Sequence, residues 1–111
     1  MKLNIIILIL SLFFASKASA QFTDDFSDGD FTNNPAWFGM DSDFEVLGQE
    51  LHLNAPSVAS ISYLSTNSMV INTATWIFKV RMDFNPSASN FARVYLMSDN
   101  SALNGSLEGY F

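Results

Sequence analysis

The chain contains no cysteine, one histidine and five cations among its 111 residues, and each shortage removes a class of chemistry. Without cysteine there is no disulfide, the usual support of a small exported domain with a thin core, so packing must hold the fold. With His52 the single imidazole, a His-based metal cluster or a Ser-His-Asp relay would depend on that one residue. Past residue 20 the only cations are Lys79, Arg81 and Arg93, against eleven acids. Phosphate binding runs on clustered Lys and Arg, so this balance argues against nucleic acid and anionic lipid as partners. Helical spacing is missing as well: past residue 20 no apolar i, i+3, i+4 pattern persists for three turns, whereas alternation recurs.

What is present begins with Lys2, the largely apolar run Ile5 to Ala15 and then Ala18-Ser19-Ala20, the three parts of a secretory leader. Asn4 and Ser11 interrupt the apolar stretch, which is shorter than the roughly 20 residues of a membrane span. Cleavage after Ala20 is therefore expected rather than anchoring, and no membrane span remains. The mature part, Gln21 to Phe111, has 91 residues and a net charge of −8, enough for one small domain and one core. Eight of the eleven acids lie between Asp24 and Glu50, and no cation follows the leader before Lys79. Of the eleven Phe residues, the nine past the leader can supply the packing, each ring carrying a large apolar area. An exported, cysteine-free β-protein points to a bacterial envelope or extracellular setting.

The pattern predicts an all-β chain. From Thr75 to Phe84, the residues Trp76, Phe78, Val80, Met82 and Phe84 share one face and Ile77, Lys79 and Arg81 the other, the signature of a strand with one buried face. Asn85-Pro86 ends it, and Phe91 to Met97 reads as the next strand. Phe44 to Leu53 reads as a hairpin turning at Gly48-Gln49, with Gly first as a type II′ turn requires. Its register sets Val46 against Leu51 and Phe44 against Leu53 inside, with Glu45 opposite His52 and Leu47 opposite Glu50 outside; a one-residue slip would expose all four inner residues. Val58 to Leu64 is a weaker, Ser-rich strand, and Thr23 to Phe38 an edge strand followed by a long loop. Leu103-Asn104-Gly105-Ser106 signals a tight turn, so Leu107 to Phe111 begins another strand. The chain stops as that strand starts, as expected of a piece of a longer open reading frame.

These residues carry a resemblance. Asp24-Asp25-Phe26-Ser27-Asp28-Gly29-Asp30-Phe31, then Trp37, then the hairpin Phe44-Glu45-Val46 to Leu51-His52-Leu53, resembles the opening of concanavalin A-like (laminin G-like) jelly-roll domains. Trp76-Ile77-Phe78-Lys79-Val80, Asp83-Phe84-Asn85-Pro86-Ser87, Asn90 to Asp99 and Gly109-Tyr110-Phe111 look like the amino-terminal module of large surface proteins that Gram-negative bacteria export with a type IX sorting signal. The resemblance spans nearly all of residues 22 to 111 and implies an antiparallel β-sandwich of jelly-roll type. It also implies a domain about twice this long, so the sandwich here would be truncated, its edges open along strands such as Trp76 to Phe84.

Candidate chemistry is sparse. Asp41, Asp43 and Glu45 alternate like the paired carboxylates of glycosidases, but the hairpin register turns Glu45 outward beside His52, so they read as solvated acids. Asp24, Asp25, Asp28 and Asp30 around Gly29 offer hard oxygen ligands that suit a structural calcium, without the regular spacing of an EF-hand. Arg93, Tyr95, Asp99 and Asn100 are the candidate glycan contacts, a ring for stacking on a sugar face beside a charged fork and short polar groups. Trp37 and Trp76 read as core. The expected function is a non-catalytic secreted or cell-surface module that binds a polysaccharide or surface glycan. The alternatives are the amino-terminal part of a glycoside hydrolase or polysaccharide lyase on the same fold, or a purely structural adhesin segment.

Overall fold

The computed structural model describes residues 23–69 and 74–111; the expected leader lies outside them. The described chain is all-β, built from three two-stranded antiparallel sheets with one 3-10 turn at Asp41–Asp43. Strand β1 (Trp37–Gly39) pairs with β4 (Leu64–Thr66), β2 (Phe44–Leu47) with β3 (Glu50–Leu53), and β5 (Met97–Ser98) with β6 (Gly109–Tyr110). The β2–β3 hairpin is thus enclosed between the two strands of the first sheet. No helix among the described residues is long and apolar enough to cross a membrane.

The hairpin has the expected register, Phe44 opposite Leu53, Glu45 opposite His52, Val46 opposite Leu51 and Leu47 opposite Glu50. Its turn differs from expectation. Gly48 and Gln49 both have positive φ, 59° and 65°, which is the type I′ combination whose twist matches the strands. The Asn54 N–H donates to the Asp43 carbonyl at 2.8 Å and extends the ladder by one bond.

Three other elements shift from their expected places. Residues 23–36 form turns and bends, and the short strand β1 follows them, the reverse of an edge strand followed by a loop. The strand expected at Val58 to Leu64 forms at Leu64–Thr66, where the Ser65 hydroxyl donates to Phe38 O at 3.3 Å and Thr66 Oγ1 to Ala36 O at 2.9 Å. Gly39 permits this pairing, because with φ at 151° a Cβ there would meet the Tyr63 carbonyl oxygen at 2.5 Å. At the other end, the strand expected over Phe91 to Met97 is confined to Met97–Ser98, where the turn at residues 103–106 delivers β6, with Met97 opposite Tyr110 and Ser98 opposite Gly109.

The largest correction concerns residues 74–84. The segment makes no backbone ladder among the described residues, although alternation predicts a long strand with one buried face. Its connection to 91–96 explains this. Ser87 and Asn90 exchange both backbone bonds across Ala88-Ser89, Ser87 N to Asn90 O at 2.8 Å and the reverse at 3.3 Å. Neither Ala88 nor Ser89 has a positive φ, so the turn lacks the primed geometry that matches strand twist, and an unprimed turn splays its arms. Pairing stops after that one bridge.

The exposure pattern keeps the alternation without a core. No described residue is buried. Ile77 is 92% exposed, against 59% for Phe78, 45% for Met82 and 40% for Phe84, and Trp76 is half-buried. Alternation therefore encodes which side chains turn inward, while coverage of that side is incomplete. Trp76→Ala should lower stability by about 1–3 kcal/mol, below the about 3–5 kcal/mol of a fully buried ring. Ile77→Ala should be close to neutral. Urea midpoints of the two variants check this, and equal shifts would contradict the assigned faces.

Candidate functional site

The Arg93 end of the chain holds the most concentrated chemistry. The arm 91–96 alternates, so Phe91, Arg93 and Tyr95 lie on one side. The turn at 103–106 returns the chain antiparallel, with Leu96 N donating to Tyr110 O at 2.7 Å, and brings Phe111 to that side. The Arg93 guanidinium carbon lies 4.8 Å from the Phe111 ring centre, 5.2 Å from Phe91 and 5.8 Å from Tyr95. Its Nη1 donates to the Tyr95 hydroxyl at 3.0 Å. Tyr95 and Phe111 meet edge to face at 5.7 Å. Among the described residues Arg93 forms no salt bridge to a carboxylate and is held by rings instead.

The four candidate glycan residues divide into two pairs. Asp99 and Asn100 lie past β5 and are occupied in shaping the turn. Asp99 Oδ1 accepts from Glu108 N at 2.7 Å, its own N–H donates to Glu108 O at 3.0 Å, and Asn100 Oδ1 accepts from Ala102 N at 2.9 Å. A cleft of about 530 Å³ beside them is lined by Met97, Ser98, Asp99, Glu108, Gly109 and Tyr110. Arg93 instead lines a second cleft, of about 440 Å³, between the splayed arms. Phe91 and Phe111 belong to the Arg93 cluster and were not read from the sequence as site residues. For Phe91 the signal was available, since it shares the i, i+2, i+4 face with Arg93 and Tyr95; for Phe111 no local signal exists.

What this cluster can do follows from its groups. Two exposed phenyl rings, 54% and 76% accessible for Phe91 and Phe111, offer flat apolar faces. Beside them sit guanidinium N–H donors and a phenol whose proton is free to donate outward. Such a platform can stack on the apolar face of a sugar ring while donating to hydroxyl or carboxylate oxygens.

The aspartate-rich loop serves its own backbone. Asp24 Oδ1 accepts from Phe26 N, Asp25 from Ser27 N, Asp28 from Asp30 N, and Asp30 from both Thr32 N and Thr32 Oγ1. These are side-chain-closed turns, each Asp capping the N–H two residues on. Asp24 Oδ2 also accepts from the Trp37 indole at 2.8 Å, which ties the loop to β1, and the Phe26 ring packs 6.4 Å from that indole. Among the described residues no group of three or more His, Cys, Asp or Glu is placed to hold a metal ion.

Glu45 and His52 are opposite in register, but the imidazole Nε2 lies 3.8 Å from Glu50 Oε2, on its own strand. The same Glu50 oxygen lies 3.2 Å from Arg81 Nη1, whose Nε reaches Asp83 at 3.4 Å. Asp43, in the alternating acidic stretch, accepts from the Ser62 hydroxyl at 2.5 Å. Glu45 is exposed, as expected of a solvated acid.

The Asn33 amide, donating to Asp30 at 2.6 Å, and then the Thr32 backbone and hydroxyl hold the Asp30 carboxyl at a pKa of about 2, down from 3.8. A lowered carboxyl pKa means the hydrogen bonds favour the ionised form. The loop contacts are therefore complete above the ordinary carboxyl range and are lost as pH falls toward about 2. In an NMR titration of the Asp30 carboxyl carbon, Asn33→Ala should move the midpoint upward; an unchanged midpoint would contradict this cause.

No family model, curated protein or solved structure matches this chain, so its functional reading rests on the residues described above.

Proposed function

We propose that this chain is a non-catalytic secreted or cell-surface module that contacts a glycan through Arg93 and Tyr95, with Phe91 and Phe111 as the apolar part of the contact. The observation that carries the reading is the Arg93 guanidinium held against three rings, two of them well exposed. Exposed ring faces beside fixed donors are the physical requirement for gripping a sugar, whose faces are apolar and whose rim is hydroxyl-bearing. Arg93 supplies a positive charge at this cluster, suited to a carboxylate-bearing or neutral polysaccharide.

The rest of the proposal concerns placement. The leader is removed after Ala20, and the mature chain takes part in a β-sandwich of jelly-roll type, as the resemblance to concanavalin A-like domains implies. In that arrangement the small antiparallel sheets are pieces of larger ones.

Glycan array screening followed by calorimetric titration tests this reading. A polysaccharide of the neutral or acidic class should bind the wild type. Arg93→Ala and Phe111→Ala should each weaken that binding about tenfold, on the scale of a contact residue at the centre of an interface, with melting temperature nearly unchanged. Absence of binding by the wild type, or binding by both variants as tight as that of the wild type, would overturn it.

A further inference from the structure

Segment 74–84, the outer edge of β2 and two exposed charges are available for pairing among the described residues. Segment 74–84 carries strand alternation but has no backbone partner strand among the described residues, and β2 is paired only on its β3 side. An open, aromatic-rich β edge is a template for another strand. Lys79, on the open segment, and Glu45, on β2, are both exposed and form no ion pair among the described residues.

We propose that these two edges pair with each other between two copies of this chain, antiparallel, with Glu45 opposite Lys79. That register sets Phe44 against Val80 and Val46 against Phe78 on one face. On the other it sets Asp43 against Arg81 and Leu47 against Ile77, the most exposed residue of the segment. Every cross-strand pair is then apolar with apolar or acid with base, the combinations that stabilise a sheet. A parallel alignment through the same Glu45–Lys79 pair would instead set Asp43 against Ile77 and Leu47 against Arg81. The sequence therefore selects the antiparallel direction.

A second copy is the occupant for two reasons. Within one chain, Arg81 reaches Glu50 at 3.2 Å, so the segment approaches its own hairpin from the β3 strand and leaves the β2 edge free. The charge is also segregated, with eight of eleven acids between Asp24 and Glu50 and every post-leader cation between Lys79 and Arg93, so the two halves attract across copies. Each copy carries both edges, so two copies close a two-fold dimer with the pairing made twice.

Charge exchange tests the pairing in the mature protein. The wild type should sediment as a dimer at micromolar concentration. Glu45→Lys and Lys79→Glu should each weaken association about tenfold or more, while an equimolar mixture of the two variants restores it, since both contacts are again opposite in sign. A monomeric wild type, unaffected single variants, or a mixture that stays monomeric would overturn the proposal. If a charge variant fails to fold, cross-linking decides. Because the chain has no cysteine, protein carrying only Leu47→Cys mixed with protein carrying only Ile77→Cys should give a disulfide-linked dimer under mild oxidation. Its absence would contradict the register.

Discussion

Asp43 joins more parts of the described chain than any other residue. Its N–H closes the 3-10 turn on Met40 O, its carbonyl accepts from Asn54 at the far end of the hairpin, and its carboxylate accepts from Ser62 on the approach to β4. Met40 in turn donates to Tyr63 O at 3.0 Å. One residue thus fixes the hairpin between β1 and β4, and the hairpin's Glu50 holds Arg81 of the open segment. In a chain with no buried residue described, such directed bonds, rather than a packed interior, set where the strands lie. Each is worth only about 0.5–1.5 kcal/mol net, so the arrangement depends on apolar surface being covered elsewhere.

How much of this was legible in the sequence depended on range. The hairpin register was readable to the residue, because four alternating positions on each side of Gly48 leave one pairing that keeps the apolar residues together. Its turn type was not, since Gln49 adopts a positive φ that a residue other than Gly, Asn or Asp does not advertise. For 74–84 alternation orders the exposure of the two faces, but the buried face and the strand it predicts are absent among the described residues: periodicity states which side chains share a side and carries no information about what lies alongside. The missing hint was Ala88-Ser89, a pair without the Gly or Asn that a matched two-residue turn favours.

The site shows the same division. Asp24 to Asp30 read as candidate cation ligands because carboxylates cluster in sequence, whereas the loop uses them one by one on its own N–H groups. The recurrence of Asp two residues before a turn N–H was visible and points to that use. The Arg93 cluster was half visible, since Tyr95 and Phe91 share its strand face. Phe111 arrives only through the β5–β6 pairing, and Gly109 is what lets that pairing close, since a Cβ there would meet Met97 O at 2.5 Å. The cation–aromatic cluster and the uncovered β edge are the two features on which the proposed contacts rest.

Amide hydrogen exchange across a dilution series tests most directly whether 74–84 is an open edge that a second copy fills. At low concentration the β2–β3 amides should be protected and those of 76–84 should exchange nearly freely, lacking backbone partners. As concentration rises, protection should grow at 76–84 and at the outward amides of 43–47 together. Protection of 76–84 that is already complete at high dilution would contradict the account, because it would mean the segment is paired within one copy.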